Sequence, residues 1–317
     1  MKVIDMHCDT ISALYHEKRI NLESKSVKFP TLRKNHLHID LEKMVKGKYL
    51  AQNFALFINL RKEENSLEKC LKLVDLFYEE IEKNKDLIGL ALNVADIKEN
   101  EKLGKISGIL TIEEGGVTRG DLCQLRNLYR LGVRMLTLTW NYENEIGYPS
   151  QNGLKKFGLE FIREMESLGM IIDVSHLSDN GVKDVLKYSK KPFVASHSNS
   201  RAICNHKRNL TDDLIRQMAS KGCVIGINYY PPFLEEEASK GTIDSIISHI
   251  KHIINIAGTD CLGLGSDFDG FSDHGELQDA SYLVKLAERL EDRGLSHKTI
   301  EKIFYKNVLN LYEEVLI

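Results

Sequence analysis

A histidine and a carboxylate separated by one residue stand near the start of the chain, His7-x-Asp9. On a strand, residues i and i+2 project to the same side, so an imidazole and a carboxylate spaced this way can grip one metal ion. A buried hydrogen-bonded His–Asp pair is the other use of that spacing. Four more polar groups close apolar runs further along: Glu113-Glu114-Gly115-Gly116, His176, His197, and Gly265-Ser266-Asp267-Phe268-Asp269-Gly270. Adjacent glutamates on a strand face opposite ways, so only one of the pair enters a shared site. We assign Glu114 inward, the alternative being Glu113 inward with Glu114 exposed. Ser178 and Ser198 read as helix N-caps, which explains the serines but not a histidine at the same place twice. Asp267 can accept a proton from an activated water and pass it to a leaving amine. An Asx-turn is the competing use of these aspartates, and suits Asp269 better than Asp267.

Charge counting sharpens the reading. Asp9 and Glu114 together neutralise one divalent ion, whereas two ions leave a net positive charge. That charge stabilises a bridging hydroxide near neutral pH, since metal-bound water has a pKa of ~7. His7, Asp9, Glu114, His176 and His197 are too many ligands for one open tetrahedral zinc and suit two ions sharing a carboxylate. The residue pattern therefore predicts a two-metal hydrolytic site.

These groups share a position because of the elements that carry them. Strand candidates are Lys2–Cys8, Ala51–Ile58, Ile106–Ile112, Met135–Thr139, Ile171–Ser175, Phe193–Ser196, Cys223–Tyr229 and Cys261–Gly265. Helical periodicity covers Ser66–Lys83, Asp121–Leu131, Leu154–Leu168, Gly181–Tyr188, Thr211–Ser220, Thr242–Ile256 and Ser281–Asp292. Regular β-then-α alternation predicts an α/β fold, a distorted (β/α)8 barrel, in which every strand's C-terminal end opens on the face where active sites are built. We expect one domain over residues 1–317, with an insertion at about 17–48 after the first strand. That segment carries nine Lys/Arg against four Asp/Glu and reads as a solvated cap over the barrel mouth. The amphipathic stretch Ile300–Ile317 is expected to pack against the barrel's outside. His249 and His252 read as helix-surface residues, His36 and His38 as structural or exposed, and Cys8 as turned away into the barrel wall.

Composition excludes other classes. The 317 residues are 42% hydrophobic and 28% charged, which is ordinary globular material. Lys+Arg 43 against Asp+Glu 46 gives a net charge of −3, so no strong field favours nucleic acid or a membrane surface. The N-terminus has no apolar h-region, and no stretch reaches the ~18 apolar residues a bilayer span needs. Six cysteines without a CxxC pair read as reduced, so a cytoplasmic location is expected.

The ordered set HxD, EGG, the two Ser-His strand ends, Leu-Thr-Leu-Thr, Arg208-Asn209 and Asp-Phe-Asp-Gly, running from His7 to Gly270, resembles the membrane dipeptidase (renal dipeptidase, M19) family of the amidohydrolase superfamily. Many members of that superfamily bridge their metals with a carboxylated lysine on the fourth strand, and Met135–Trp140 holds no lysine. The resemblance implies a zinc-dependent dipeptidase of soluble bacterial type with two Zn²⁺ per chain. His7 and Asp9 would bind the first ion, His176 and His197 the second, and Glu114 would link them. Asp267 would be the acid/base group, Arg208 the anchor of the substrate's free carboxylate, and Tyr230 its neighbour at that end. Trp140 stands where the mammalian enzymes carry a substrate-orienting histidine and is followed by Asn141; an indole donates one hydrogen bond but takes no proton. The expected partner is a dipeptide, with no nucleic acid or membrane, and a homodimer is compatible with the reading. The alternatives are another binuclear amide hydrolase, such as an N-acyl amino acid deacylase or lactamase, and a non-catalytic binding barrel.

Overall fold

Apolar runs rich in β-branched residues are buried on both faces here, as strands of a parallel sheet covered by helices must be. The computed structural model describes residues 1–23, 30–236, 241–272 and 275–317. Nine parallel strands form: β1 Val3–Cys8, β2 Tyr49–Phe57, β3 Ile88–Leu90, β4 Ile106–Glu113, β5 Met135–Thr137, β6 Ile171–Asp173, β7 Val194–Ala195, β8 Val224–Ile227 and β9 Leu262–Leu264. Their order is β2-β1-β9-β8-β7-β6-β5-β4-β3, and an additional β2–β4 pairing closes eight of them into a barrel. β2 occupies one edge of β4 from Ser107 to Glu113. On the other edge β3 pairs low, at Ile106–Gly108, and β5 pairs high, at Thr111–Glu113. The expected (β/α)8 barrel is thus what forms, with β3 and the helix Val94–Lys102 as elements the sequence reading lacks.

Alternation along β4 sorts its two faces. Ile109 joins Ile4, Met6, Met135, Ile171, Val194 and Val224 in the barrel interior, whereas Leu110 and Ile112 pack in the cluster shared with the surrounding helices. Inward residues are therefore the odd-numbered ones, and Glu113, the last residue of the strand, is in phase with them.

The end of the chain corrects an expectation. The helical run from His297 to Val315 does not lie along the barrel's flank. Val308, Leu311, Tyr312 and Val315 enter the interior cluster and seal the barrel at the end opposite the strand C-termini. The reason is space: a Cβ on Gly263 would come within 2.9 Å of Val308 Cγ2, so that glycine admits the helix. The Tyr312 hydroxyl donates to Asn53 Oδ1 at 2.8 Å, and Asn307 Nδ2 donates to the Thr259 and Leu262 carbonyls at 2.7 and 2.8 Å.

The basic segment differs too. A helix, Thr10–Glu23, follows β1 directly, residues 24–29 of the expected insertion lie outside the described residues, and a short helix, Leu41–Lys46, leads into β2. Rather than a solvated cap, its described part buries Leu32, Ile39, Leu41 and Met44. His38 anchors it: its backbone N–H donates to Asp269 Oδ1 at 2.6 Å, and its Nδ1 accepts from the Asp269 N–H at 2.9 Å. No helix among the described residues is long and apolar enough to cross a membrane.

Candidate metal centre and substrate cleft

Strand ends bring His7, Asp9, His176, His197 and Asp267 together at one mouth, and the glutamate among them is Glu113, not Glu114. One Glu113 oxygen, Oε1, lies 2.9 Å from His176 Nε2 and 3.6 Å from His197 Nε2; the other, Oε2, lies 3.6 Å from His7 Nε2. The carboxylate thus stands between two nests of ligand atoms, His7–Asp9–Glu113 and Glu113–His176–His197. Glu114 is turned the other way. It is fully buried, with its carboxylate accepting from the Gly116 and Trp140 backbone N–H groups and from Asn144 Nδ2. The expected assignment fails because the strand runs one residue further than Ile112. Glu113 keeps the inward phase, and Glu114, at φ 114°, turns the chain out of the ladder.

His176 and Asp267 also stand at positive φ, 72° and 62°, conformations that cost of order 1–3 kcal/mol each for such residues and persist where the surroundings over-determine them. Ser178 caps the helix Asp179–Tyr188 by accepting from the Gly181 N–H. Ser198 caps none: the next helix begins at Asp212, with Thr211 as its cap.

The electrostatics divide the site. Burial and the positive charges of Arg208 and His7 hold His176 and His197 well below the ordinary histidine range, so both are neutral imidazoles. Burial also pushes His7 down, but the Glu113 and Asp9 carboxylates outweigh it and hold His7 well above that range. Burial, against the pull of His7 and with the charge of Asp9, raises Glu113 to about 7. Asp267 is raised to about 6, first by burial; His7 opposes this and Asp9 adds to it. Asn228 Nδ2 donates to Asp267 Oδ2 at 2.9 Å and fixes its plane.

Above the cluster opens a cavity of about 1220 Å³, lined on one side by Arg208, Tyr230, Phe233 and Phe271 and on the other by Phe57, Trp140 and Asn141. Arg208 Nε and Nη2 are buried and have no hydrogen-bond partner among the described residues. Tyr230 packs its ring against Phe233 and Phe271, with centroids 4.9 and 5.2 Å away. Trp140 packs between Phe57 and Tyr142, centroids 4.8 and 5.3 Å away. Asn141 Oδ1 lies 3.0 Å from His176 Nδ1.

Three of the remaining histidines lie away from the cluster. His249, expected on a helix surface, is fully buried: Nδ1 accepts from the Ser200 N–H at 3.1 Å and Nε2 donates to the Leu234 carbonyl. The signal that reading passed over is its spacing of three from Ile246 and four from Ile253, which puts it on the helix's apolar face. His252 pairs with Asp212 at 2.8 Å, and His36 is largely exposed beside Glu17. Cys8 is buried in the wall, its sulfur accepting from Thr10 Oγ1. Sequence reasoning missed Asp173, which ends an otherwise apolar strand three residues before His176 and takes four hydrogen bonds.

The sequence and the fold are also similar to those of known proteins. Residues 1–316 match the model of the membrane dipeptidase family, peptidase family M19. The chain is 30% identical to dipeptidase tcpJ of Claviceps purpurea over 294 residues, which span 88% of this chain and 69% of that protein. It is 31% identical over 341 residues to an uncharacterized dipeptidase of Schizosaccharomyces pombe, covering 99% and 80% of the two chains. A Rhodobacter sphaeroides metallopeptidase, crystallised with a phosphinate mimic of the dipeptide L-Ala-D-Ala, superposes with a TM-score of 0.91 at 24% identity over 99% of each chain. Dipeptidase AC, a family M19 metallopeptidase, gives the same TM-score and identity over 100% of this chain and 99% of its own.

Proposed function

The chain belongs to the membrane dipeptidase family, peptidase family M19, and we propose that this metallo-dipeptidase works with two zinc ions held at its barrel mouth. The placement of Glu113 carries the proposal. His7, Asp9 and one Glu113 oxygen would hold one ion; His176, His197 and the other oxygen would hold the second.

The donor set fits such ions. His176 Nε2 and His197 Nε2 are 3.0 Å apart, both on neutral rings, and both lie near a Glu113 oxygen. With each Nδ1 proton donated to a neighbour, two lone pairs and a carboxylate oxygen point at one spot, an arrangement that a cation relieves. His7 Nε2 is buried without a hydrogen-bond partner among the described residues, and Asp9 Oδ2 and Glu113 Oε2 each lie 3.6 Å from it around the other spot. When bound, two such ions would supply an activated water as nucleophile and polarisation of the scissile carbonyl.

The chain's own residues supply the rest. Asp267, 3.9 Å from His7 Nε2 and fixed by the Asn228 amide, takes a proton from the activated water and delivers it to the departing amine. Arg208 receives the substrate's free carboxylate; its two unpartnered buried N–H groups match a bidentate carboxylate. A longer peptide would present a neutral amide there and lose the charge pair, which restricts the enzyme to dipeptides. Tyr230 closes the cleft beside that carboxylate, and Trp140 walls the opposite side. The ligand reported for the Rhodobacter sphaeroides protein supports a D-residue at the C-terminal position. A cytoplasmic setting fits six free cysteines, five of them buried.

The test is a metal count together with a panel of dipeptides, free and N-acylated, with L- or D-residues at the C-terminal position. Two zinc ions per chain and cleavage of free dipeptides support the proposal. Equal cleavage of N-acylated substrates would make the enzyme a deacylase, and a metal-free active enzyme would remove the mechanism.

A further inference from the structure

We infer that Asp173, acting through Ser196, is a positioning residue that fixes the His197 tautomer and so makes His197 Nε2 a ligand. The inference rests on the metal reading above.

The hydrogen-bond inventory around Asp173 is complete. Oδ1 accepts from the Ser175 N–H at 3.0 Å and the Ser196 N–H at 2.8 Å; Oδ2 accepts from Thr137 Oγ1 and Ser196 Oγ, each at 2.6 Å. A carboxylate so engaged has little left to offer an ion, although one grouping of potential ligands places it with His7 and His197. Its influence passes through the serine instead. Ser196 has one hydroxyl proton, and that proton goes to Asp173. Ser196 Oγ, 2.8 Å from His197 Nδ1, can then only accept. His197 Nδ1 must therefore carry the ring proton, which leaves Nε2 as a bare lone pair beside His176 Nε2 and Glu113. All three residues are fully buried, so water cannot substitute for any link. His176 is held less firmly, by the exposed Asn141, whose amide can rotate.

Ser196→Ala, Asp173→Asn and Thr137→Val separate positioning from scaffolding. Ser196 and Thr137 each give one hydrogen bond to the same Asp173 oxygen, but only Ser196 touches His197. The measurement is Co²⁺ affinity by chelator competition, followed through the ion's visible absorption, with ¹⁵N imidazole shifts of the metal-free protein as a second readout. The parent should bind two Co²⁺. Ser196→Ala should keep the first equivalent unchanged, bind the second about 10- to 100-fold more weakly, and show an Nε2–H population at His197. Asp173→Asn should do the same, because its amide donates to Ser196 and reverses the chain; the double variant should be no worse than the worse single one. Thr137→Val should stay near the parental affinity. The inference is overturned if Ser196→Ala binds both ions as the parent does, or if Thr137→Val weakens the second ion equally. A parent that takes up no Co²⁺ would overturn the metal reading itself.

Discussion

The two ends of the barrel solve opposite problems with the same eight strands. At the strand C-termini, His7, Asp9, Glu113, His176 and His197 are buried together beside the half-buried Asp267, the backbone at Glu114, His176, Asp267 and Asp269 stands at positive φ, and ligand atoms are left without partners among the described residues. At the other end, Val308, Leu311, Tyr312 and Val315 fill the interior, and the Tyr312 hydroxyl and the Asn307 amide are paired. Burying like charges costs stability, and apolar burial returns roughly 1.5–3 kcal/mol per large side chain. The contrast teaches that the base provides the rigidity which holds the crowded mouth in place. Substitutions at the mouth should therefore change chemistry more than stability, and substitutions at the base the reverse.

The strongest test of that division is Glu113→Gln. It should remove metal and cut kcat/KM to or beyond the ~10⁴-fold upper end seen for a lost acid/base group, while the melting temperature of the metal-free protein holds or rises. Glu114→Gln makes the comparison sharp. It puts an NH₂ among three donors, so it should cost about 1–3 kcal/mol of stability with a far smaller loss of activity. A larger activity loss at Glu114, measured alongside metal content, would reverse the assignment. Next comes Asp267→Asn, which should lower kcat by about 10²–10⁴ with little change in melting temperature; an unchanged kcat would leave Asp267 a turn residue. Arg208→Ala should raise KM far more than it lowers kcat, at about 2–4 kcal/mol or ~30- to 1,000-fold in kcat/KM. C-terminally amidated dipeptides should be penalised much less, because amidation already removes the same contact; steady-state kinetics on acid and amide substrates check this. At the base, Tyr312→Phe should cost about 1–3 kcal/mol by stranding Asn53 Oδ1, read from denaturant melts, with kcat untouched. A drop in kcat there would show that the two ends are not independent.

Much of the mouth was legible because strand ends in a parallel barrel are fixed by alternation, and His7, His176, His197 and Asp267 each close an apolar run. The glutamate was not, because strand length and phase had to be set together. The signal lay in β4 itself: Ser107, Thr111 and Glu113 share a parity, and their polarity marks the face that turns toward a polar mouth. The three-residue β3 was too short to show a period. The last helix was recognised, but an amphipathic stripe is equally satisfied by a barrel's flank and by its open end. Ser198 illustrates a local rule overridden: its N–H bonds to the Gly226 carbonyl at 2.7 Å, and the chain continues as a loop. Asp173 escaped notice because a charged residue at a strand's last position signals nothing until its neighbours across the barrel are known.

The helix that closes the base has a consequence for synthesis. Val308, Leu311 and Tyr312 leave the ribosome after every strand has been made. Until then Ile4, Met6 and Val224 face an unfilled lumen, and a complete ring of strands still lacks its stopper. A nascent chain carrying all nine strands would thus expose an apolar funnel, the kind of surface on which a chaperone can hold it until that helix emerges.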